Sequence, residues 1–229
     1  MDAIILAGGK GTRLQSVVSD RPKPMADING KPFLYYLLKH ITSFKEISNI
    51  ILSVGYKREI IKDYFGNKFL NIPILYSEEE ELLGTGGAIR QSLTFAKTNS
   101  SIVLNGDTYF DIDINNLYKI HKENNTKISI ALKKLEKFDR YGSVKIDSGF
   151  ITEFKEKSYQ EVGFINAGVY LIQNSIFKDY NLPYKFSFET DFMQAFTKEL
   201  KIGAIVFDGY FIDIGIPEDY YKFKAENPL

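Results

Sequence analysis

The sequence predicts a single three-layer α/β domain with a mixed, mostly parallel central sheet. Short apolar runs rich in Ile, Val, Phe and Tyr alternate with amphipathic segments through about residue 132, a pattern typical of strands separated by crossover helices. The length of 229 residues and the 44% hydrophobic content suit one globular domain. No linker rich in Pro, Gly or Ser and no run of like charges divides the chain. We therefore expect one domain over residues 1–229.

The alternation assigns most of the chain to defined elements. Strands are predicted at residues 3–6, 50–54, 74–76, 101–104, 128–132 and 169–172, and helices at 32–44, 57–65, 87–97, 114–124 and 188–199. The segments 142–146, 151–154, 204–207 and 210–212 are predicted as further strands, antiparallel or added at the sheet edge. In open α/β sheets ligands bind outside the carboxyl ends of the strands, so the loops that follow strands are the candidate sites.

Composition argues against several classes of protein. Lys+Arg and Asp+Glu both number 29, and a nonspecific nucleic-acid binder would show a basic excess. The absence of cysteine excludes disulfides, thiolate catalysis and cysteine-ligated metals. Asp2 stands where a signal peptide would be basic, the first apolar run ends at Gly8, and no stretch reaches the roughly 18–20 apolar residues of a membrane helix. We expect a cytoplasmic protein with no membrane or nucleic-acid partner.

A glycine-rich loop from Leu6 to Leu14 (LAGGKGTRL) follows the first predicted strand. Its three glycines allow backbone N–H groups to approach an anion closely. The Gly-Lys-Ser/Thr ending of a Walker A loop is absent, and Leu14 stands where a dinucleotide fingerprint needs a third glycine or alanine. Arg13 and Lys23 add two cations, and the prolines on either side of Lys23 hold it in an extended frame. This combination suits a triphosphate.

The run from Gly8 to Leu14, followed by Arg21 to Met25 (RPKPM), resembles the signature of the sugar-phosphate nucleotidyltransferases. The resemblance extends from Met1 to about Phe223 and implies a Rossmann-like nucleotidyltransferase fold of the GT-A type. It also implies transfer of a nucleoside monophosphate from an NTP to a sugar 1-phosphate, with release of pyrophosphate. In that family the cations that match Arg13 and Lys23 contact the NTP phosphates and assist the departure of pyrophosphate.

A second glycine-rich segment, Leu83 to Ile89, resembles the family's loop whose backbone reads the nucleobase. Glu81, just before it, could accept hydrogen bonds from guanine, although a solvated surface run is the better explanation of any one of the acids at 78–81. The residues that the resemblance predicts to bind the nucleotide are Leu6, Ala7, Gly8, Gly9, Gly11, Thr12, Arg13, Lys23, Glu81, Gly84, Thr85 and Asp107. Among these, Arg13, Lys23 and Asp107 are predicted to be catalytic.

Two aspartates are candidate metal ligands. Asp107 follows the predicted strand at 101–104 and resembles the family's metal-binding Asp, and Asp213 lies in a segment that resembles the family's closing motif, Phe211 to Tyr220. Mg²⁺ prefers oxygen ligands, typically one or two carboxylates plus substrate phosphates. The resemblance therefore implies a Mg²⁺ site on Asp107 and Asp213, which requires the fold to bring together two residues far apart in the sequence.

The acceptor side is predicted to lie in residues 133–229, and the NTP side in about 1–132. By resemblance, the residues that bind the sugar phosphate are Gly142, Glu156, Lys157, Asn166 and Asp213. Gly142, Glu156 and Asn166 would hold sugar hydroxyls, and Lys157 the sugar phosphate. The family's usual Glu-Lys-Pro is Glu-Lys-Ser here. The neighbouring Glu153 and Lys155 are assigned to a solvated strand face.

Within the family, overall resemblance favours GTP and D-glycero-α-D-manno-heptose 1-phosphate as substrates, giving GDP-heptose for surface polysaccharides. Mannose 1-phosphate guanylyltransferases and N-acetylmuramate 1-phosphate uridylyltransferases remain alternatives, because no residue-level argument separates these acceptors. From other classes, Asp111-Ile112-Asp113 formally matches the metal motif of a sugar-nucleotide-dependent glycosyltransferase, although both aspartates also suit capping of the helix that follows. A non-catalytic binding subunit would be expected to have lost a metal acid or a phosphate cation. The oligomeric state is left open, a homo-oligomer included.

Overall fold

A ten-stranded mixed sheet forms the centre of the structure, a computed structural model that describes residues 1–226. In chain order the strands are β1 (Asp2–Leu6), β2 (Asp27–Ile28), β3 (Lys31–Pro32), β4 (Asn49–Val54), β5 (Lys68–Phe69), β6 (Ile72–Glu78), β7 (Ser100–Asn105), β8 (Thr108–Phe110), β9 (Ile128–Phe138), β10 (Ser143–Asp147), β11 (Phe150–Lys155), β12 (Gln160–Gln173), β13 (Gly203–Phe207) and β14 (Phe211–Asp213). The helices are α1 (Phe33–Ile41), α2 (Arg58–Phe65), α3 (Gly84–Ser92), α4 (Ile114–Glu123), α5 (Thr197–Leu200) and α6 (Pro217–Glu226), with a π-helix over Phe188–Gln194. Residues 227–229, the end of the predicted domain, lie outside the described part.

The strand order of the sheet is β10-β11-β13-β9-β12-β7-β1-β4-β6-β5. The strands β6, β4, β1 and β7 are parallel neighbours, as the alternation of strands and helices in the first half predicts. Strand β12 lies antiparallel between β7 and β9, and β13 pairs in parallel with β9. The carboxyl ends of β1, β4, β6 and β7 therefore lie at one edge of the sheet, where ligands bind in folds of this class.

Helices cover both faces of the sheet, and the side chains of β1 show how. Ala3 and Ile5 belong to one buried cluster with residues of α1, α4 and α6, whereas Ile4 belongs to another with residues of α3 and the π-helix. Successive side chains of a strand point to opposite faces, so the near-continuous apolar run of β1 is buried on both sides. The predicted three-layer α/β architecture is confirmed. No helix among residues 1–226 is long and apolar enough to cross a membrane.

The predicted helix over 188–199 differs from the structure. It is divided into the π-helix and α5, because the backbone leaves helical geometry at Phe196 (φ −113°, ψ 22°). Within the π-helix the rings of Phe188 and Phe192 stack with their centroids 5.8 Å apart. Helical periodicity predicts which face of this segment is buried. It does not predict the wider winding of the π-helix, in which these aromatic rings stack.

The later strands and one helix cap also differ in part. As predicted, β10 and β11 are antiparallel and lie at the sheet edge, but β14 pairs with β8 in a separate two-stranded sheet. Asp113 caps α4 by accepting hydrogen bonds from the N–H groups of Asn115 and Asn116. Asp111 does not cap this helix; its carboxylate lies 4.0 Å from Nδ1 of His40. Of the two aspartates, only the one directly before the helix has a side chain that reaches its first-turn N–H groups.

His121 lies in a buried polar cluster between α4 and β9. Its Nδ1 is 2.9 Å from Oγ of Ser129, and Oγ1 of Thr126 is 2.9 Å from the same serine oxygen. Burial, with a smaller contribution from the neighbouring Lys122, lowers the pKa of His121 from 6.5 to about 4. The folded protein therefore keeps this imidazole neutral at pH values where the unfolded chain binds a proton.

We expect His121 to reduce the free energy of unfolding by roughly 2–4 kcal/mol as the pH falls from 6.5 to about 4. The pKa in the folded state lies below that in the unfolded state, so this stability is complete above pH 6.5 and is lost toward pH 4. Urea unfolding at a series of pH values measures the effect. The variant His121→Asn keeps a polar nitrogen near the position of Nδ1 but does not titrate, and it should flatten this part of the profile. An identical pH profile in the variant would contradict the assignment.

Candidate active site

The carboxyl ends of β1 and β7 bring the first glycine-rich loop next to Asp107. The two strands are parallel, with Leu6 in register with Asn105. Just beyond, the N–H of Gly106 donates to the carbonyl of Leu6 at 2.9 Å. A Cβ on residue 106 would lie 2.4 Å from that carbonyl oxygen, so only glycine allows this close approach. Asp107 is thereby fixed beside the loop that follows β1.

The loop after β1 forms one wall of a cavity of about 260 Å³, called here the loop cavity. The predicted nucleotide-binding residues that line it are Leu6, Ala7, Gly9, Gly11, Thr12, Arg13, Lys23 and Asp107. Gly11 has a φ of 60°, a left-handed conformation that glycine adopts readily. As the prolines predict, no α-helix forms here before Phe33, and short 3₁₀ turns at Thr12–Leu14 and Lys23–Met25 carry the two cations.

Lys23 and Asp107 form an ion pair at the floor of the loop cavity. The Nζ of Lys23 donates to Oδ2 of Asp107 at 2.6 Å, and Lys23 is only 9% exposed. Pro22 precedes it in an extended conformation (φ −68°, ψ 150°), so the lysine side chain starts from a rigid segment. The positive charge of Lys23 therefore balances the negative charge of Asp107.

Asp213 approaches Asp107 from the other side, through the pairing of β14 with β8. It lies in register with Thr108, and the N–H of Ile214 donates to the carbonyl of Asp107 at 3.0 Å. Burial and then the charge of Asp107 raise the pKa of Asp213, while Lys23 acts in the opposite direction. The fold thus brings together the two aspartates that are far apart in the sequence. Within residues 1–226, no group of three or more His, Asp or Glu side chains is arranged to hold a metal, so a metal here would need ligands from a substrate.

A second cavity of about 320 Å³, the α3 cavity, adjoins the loop cavity and shares Leu6, Gly9 and Asp107 with it. Of the other predicted nucleotide-binding residues, Gly8, Gly84 and Thr85 line this cavity. It lies at the start of α3, where the N–H groups of Gly86 and Gly87 donate to the carbonyl of Phe186 at 3.0 and 3.3 Å.

The structure does not bring Glu81 into either cavity. Its exposed carboxylate bonds to Nζ of Lys185 instead. The acid that lines the α3 cavity is Glu79, which is buried and accepts hydrogen bonds from Oγ of Ser53 and the N–H of Leu83, both at 3.1 Å. Glu79 therefore anchors the turn that leads into α3, and the sequence alone could not choose between the acids of this run.

A third cavity of about 280 Å³, the β12 cavity, lies among β10, β11, β12 and the π-helix. Four of the residues predicted for the acceptor side line it: Gly142, Glu156, Lys157 and Asn166. The fifth, Asp213, lies near Asp107 and lines none of the three cavities. Lys155, which the sequence assigned to a solvated face, also lines the β12 cavity.

Sequence reasoning missed three side chains that the structure places here. Glu189 lines the β12 cavity and bonds to Tyr170 and Thr85. Asn105 lines the α3 cavity, and its buried Oδ1 has no hydrogen-bond partner among residues 1–226. The position of Asn105 at the end of a buried strand, two residues before the predicted metal ligand Asp107, is a signal that could have identified it. Glu189 and Tyr170 carried no such signal.

The Asp-x-Asp segment that suggested a glycosyltransferase is not at the site. Asp113 is engaged as the N-cap of α4, and Asp111 lies near His40, which is packed against Tyr109. Neither aspartate lines any of the three cavities. The two aspartates that do lie near each other are Asp107 and Asp213, the pair that the resemblance to nucleotidyltransferases predicts.

Comparison with known proteins identifies the family of this chain. The family model described as nucleotidyl transferase matches residues 2–227. The chain belongs to the nucleotidyl transferase family. It is 52% identical over 228 residues to the D-glycero-alpha-D-manno-heptose 1-phosphate guanylyltransferase of Campylobacter jejuni, covering 99% of this chain and 100% of that protein. It is 45% identical to the protein of the same name from Aneurinibacillus thermoaerophilus, covering 99% and 98%. The crystal structure of HddC from Yersinia pseudotuberculosis complexed with GMP-PN superposes with a TM-score of 0.85, at 40% identity over 99% of both chains.

Two glycines of this nucleotidyl transferase should respond in opposite ways to a methyl group. Gly9→Ala should keep the melting temperature, because nothing lies within 4 Å of the added Cβ, but should weaken nucleotide binding about tenfold or more by filling the cavity. Gly106→Ala should destabilise the fold by about 1–3 kcal/mol, since its Cβ meets a backbone oxygen. Thermal unfolding and titration with GTP measure the two effects. A Gly9→Ala protein that binds GTP as tightly as the wild type would show that the loop cavity does not hold the phosphates.

Proposed function

We propose that this chain transfers GMP from GTP to D-glycero-α-D-manno-heptose 1-phosphate, forming GDP-heptose and pyrophosphate. The observation that carries the reaction type is the placement of Arg13, Lys23 and Asp107 around one cavity, with Asp213 near enough for the charges of all three to act on its pKa. The identity of the base and the sugar is supported by the two relatives named for guanylyl transfer to this heptose phosphate and by the related structure with GMP-PN. The proposal places the enzyme in the cytoplasm, where GTP is supplied, and its product in capsule or lipopolysaccharide synthesis.

The reaction needs no general base. A sugar 1-phosphate is a dianion near neutral pH, so one of its oxygens attacks the α-phosphorus of GTP directly. The new P–O bond forms in line as the bond to the β-phosphate oxygen breaks, and pyrophosphate leaves with the bonding electrons. Catalysis is then a matter of positioning and charge neutralisation. Arg13 and the loop N–H groups would neutralise the departing pyrophosphate, and Lys23 the charge that gathers during transfer.

We assign the triphosphate, the guanine and the heptose each to one of the three cavities. The triphosphate would occupy the loop cavity and the guanine the adjoining α3 cavity, because the two share Leu6, Gly9 and Asp107. The heptose would occupy the β12 cavity, with Lys157 on its phosphate and Glu156 among the groups on its hydroxyls. Glu81 is left out of this assignment, since its carboxylate bonds to Lys185 outside the cavities.

Asp107 and Asp213 fit a Mg²⁺ ion. Both are carboxylates, and their mutual repulsion helps to raise the pKa of Asp213, so a divalent cation between them would be favoured. Two carboxylates are too few for a complete protein site, but Mg²⁺ commonly completes its coordination with substrate phosphates and water. When bound, it supplies positive charge to the α-phosphate and to the incoming sugar phosphate.

Pyrophosphate release with Mg²⁺ tests the proposal. GTP, UTP, CTP, ATP and dTTP are each combined with heptose, mannose, glucose and N-acetylated sugar 1-phosphates. We expect a strong signal for GTP with D-glycero-α-D-manno-heptose 1-phosphate. Signal with another pair would keep the reaction and replace the substrates, mannose 1-phosphate and N-acetylmuramate 1-phosphate being the first alternatives. Silence across the panel from folded protein would favour a binding subunit, and turnover of a sugar nucleotide as donor would favour a glycosyltransferase.

Lys23→Ala should reduce kcat by about 100-fold or more while changing the KM values much less, because its charge is needed chiefly as charge moves in the transition state. Steady-state kinetics of pyrophosphate release provide the measurement, with a melting curve to confirm folding. Lys10→Ala is the matched control, since Lys10 is an exposed lysine of the same loop and lines none of the three cavities. Unchanged turnover in Lys23→Ala would contradict the role given to this lysine.

A further inference from the structure

The carboxylate of Glu189 is the centre of a hydrogen-bond network between the α3 cavity and the β12 cavity. Its Oε2 accepts from Oγ1 of Thr85 at 2.7 Å and from Oγ of Ser187 at 3.2 Å. Its Oε1 accepts from the hydroxyl of Tyr170 at 2.9 Å. That hydroxyl in turn accepts from Nδ2 of Asn166 at 2.8 Å. Three side chains thus donate directly to one acidic group, and Asn166 is connected to it through Tyr170.

The direction of each hydrogen bond in this network is determined by its neighbours. Oγ1 of Thr85 already accepts from the N–H of Phe188 at 2.8 Å, so its own proton is directed to Glu189. Oδ1 of Asn166 accepts from the N–H of Gly168, so its Nδ2 faces Tyr170 and the tyrosine proton is directed to Glu189 as well. A carboxylate has lone pairs for all these donors, and no other side chain of this size accepts without also donating.

The two ends of the network lie in different cavities. Thr85 lines the α3 cavity, whereas Asn166 and Glu189 line the β12 cavity. Tyr170 lines neither and is 1% exposed. Glu189 belongs to the π-helix, a winding that is rare and is frequently found at functional sites. Here it presents Glu189, Thr190 and Gln194 to one cavity while Phe188 and Phe192 stay in the core.

We infer that Glu189 is a positioning residue that couples nucleotide binding to sugar-phosphate binding. This rests on the proposed function, in which guanine occupies the α3 cavity and the sugar the β12 cavity. A nucleotide that orders Thr85 fixes one oxygen of Glu189, and through Tyr170 this fixes Asn166 for the acceptor. Because coupling between two ligands is reciprocal, the acceptor must tighten nucleotide binding by the same factor.

Two substitutions each remove a hydroxyl that donates to Glu189, one at each carboxylate oxygen, and leave Glu189 in place. Tyr170→Phe removes one hydroxyl and keeps the ring that packs edge-on against Phe188. Thr85→Val removes the other hydroxyl at nearly constant shape, and Thr85→Ser is its matched control because it keeps the hydroxyl. The probe is the non-cleavable α,β-methylene analogue of GTP with Mg²⁺, titrated by calorimetry with and without saturating D-glycero-α-D-manno-heptose 1-phosphate.

In the wild type we expect the acceptor to tighten analogue binding about fivefold or more. Tyr170→Phe and Thr85→Val should both reduce this ratio toward one, and Thr85→Ser should keep it. In turnover, Tyr170→Phe, whose side chain lines neither cavity, should raise the KM for both substrates more than it lowers kcat. Melting curves confirm that each variant is folded, and if one variant fails to fold the other provides the same test from its own end.

A wild-type ratio near one, or a ratio unchanged in both folded variants, would overturn the coupling. A change in the KM of only the substrate nearest to each substitution would also overturn it, because the effect would then be local. These outcomes differ from failure of the proposed function, in which the wild type binds neither the analogue nor the heptose phosphate.

Discussion

The close approach of two parallel strand ends is the constraint on which the candidate site depends. Residue 106 must bring its N–H within hydrogen-bond distance of the Leu6 carbonyl, and the 2.4 Å separation that a Cβ would have from that oxygen restricts the position to glycine. The glycine-rich loop departs on one side of this bond and Asp107 on the other. The loop N–H groups that we propose bind phosphate and the proposed metal ligand Asp107 are therefore placed together by backbone geometry.

The candidate site contains two acidic and two basic side chains whose charges oppose each other. Burial, and then the negative charge of Asp107, raise the pKa of Asp213. The positive charges of Lys23, which is bonded to Asp107, and of the exposed Arg13 act in the opposite direction and lower the pKa of Asp213. A cluster of cations alone would hold a polyphosphate tightly without directing reaction. Asp107 and Asp213, placed among cations, would hold a divalent metal, which would supply positive charge to the phosphates, and Lys23 would supply charge for the reacting group.

The sequence predicts the parts of the site that follow strands, and misses those that depend on packing. The run Gly8 to Leu14 and Asp107 both come after buried strands, so periodicity with the sheet-edge rule places them correctly. Asp213 required the resemblance to a family, because its approach to Asp107 depends on the pairing of β14 with β8. The choice of Glu79 over Glu81 depends on which side chain turns inward toward Ser53. Neighbouring acids in one run have the same composition signal, so no pattern could separate them.

Strand β12 explains why the two substrate sites cannot behave as separate domains. It pairs with β9 along one edge, and along the other edge it pairs with β10 near Phe164 and with β7 from Val169 onward. Its pairing with β9 shifts register between Asn166 and Val169, and Gly168 there has a φ of 71°. At this irregularity Asn166 lines the β12 cavity. Strand β12 then continues to the buried Tyr170. A hinge between the two sides would break these ladders, so the proposed coupling relies on side chains: Glu189 accepts from Thr85 and is connected to Asn166 through Tyr170.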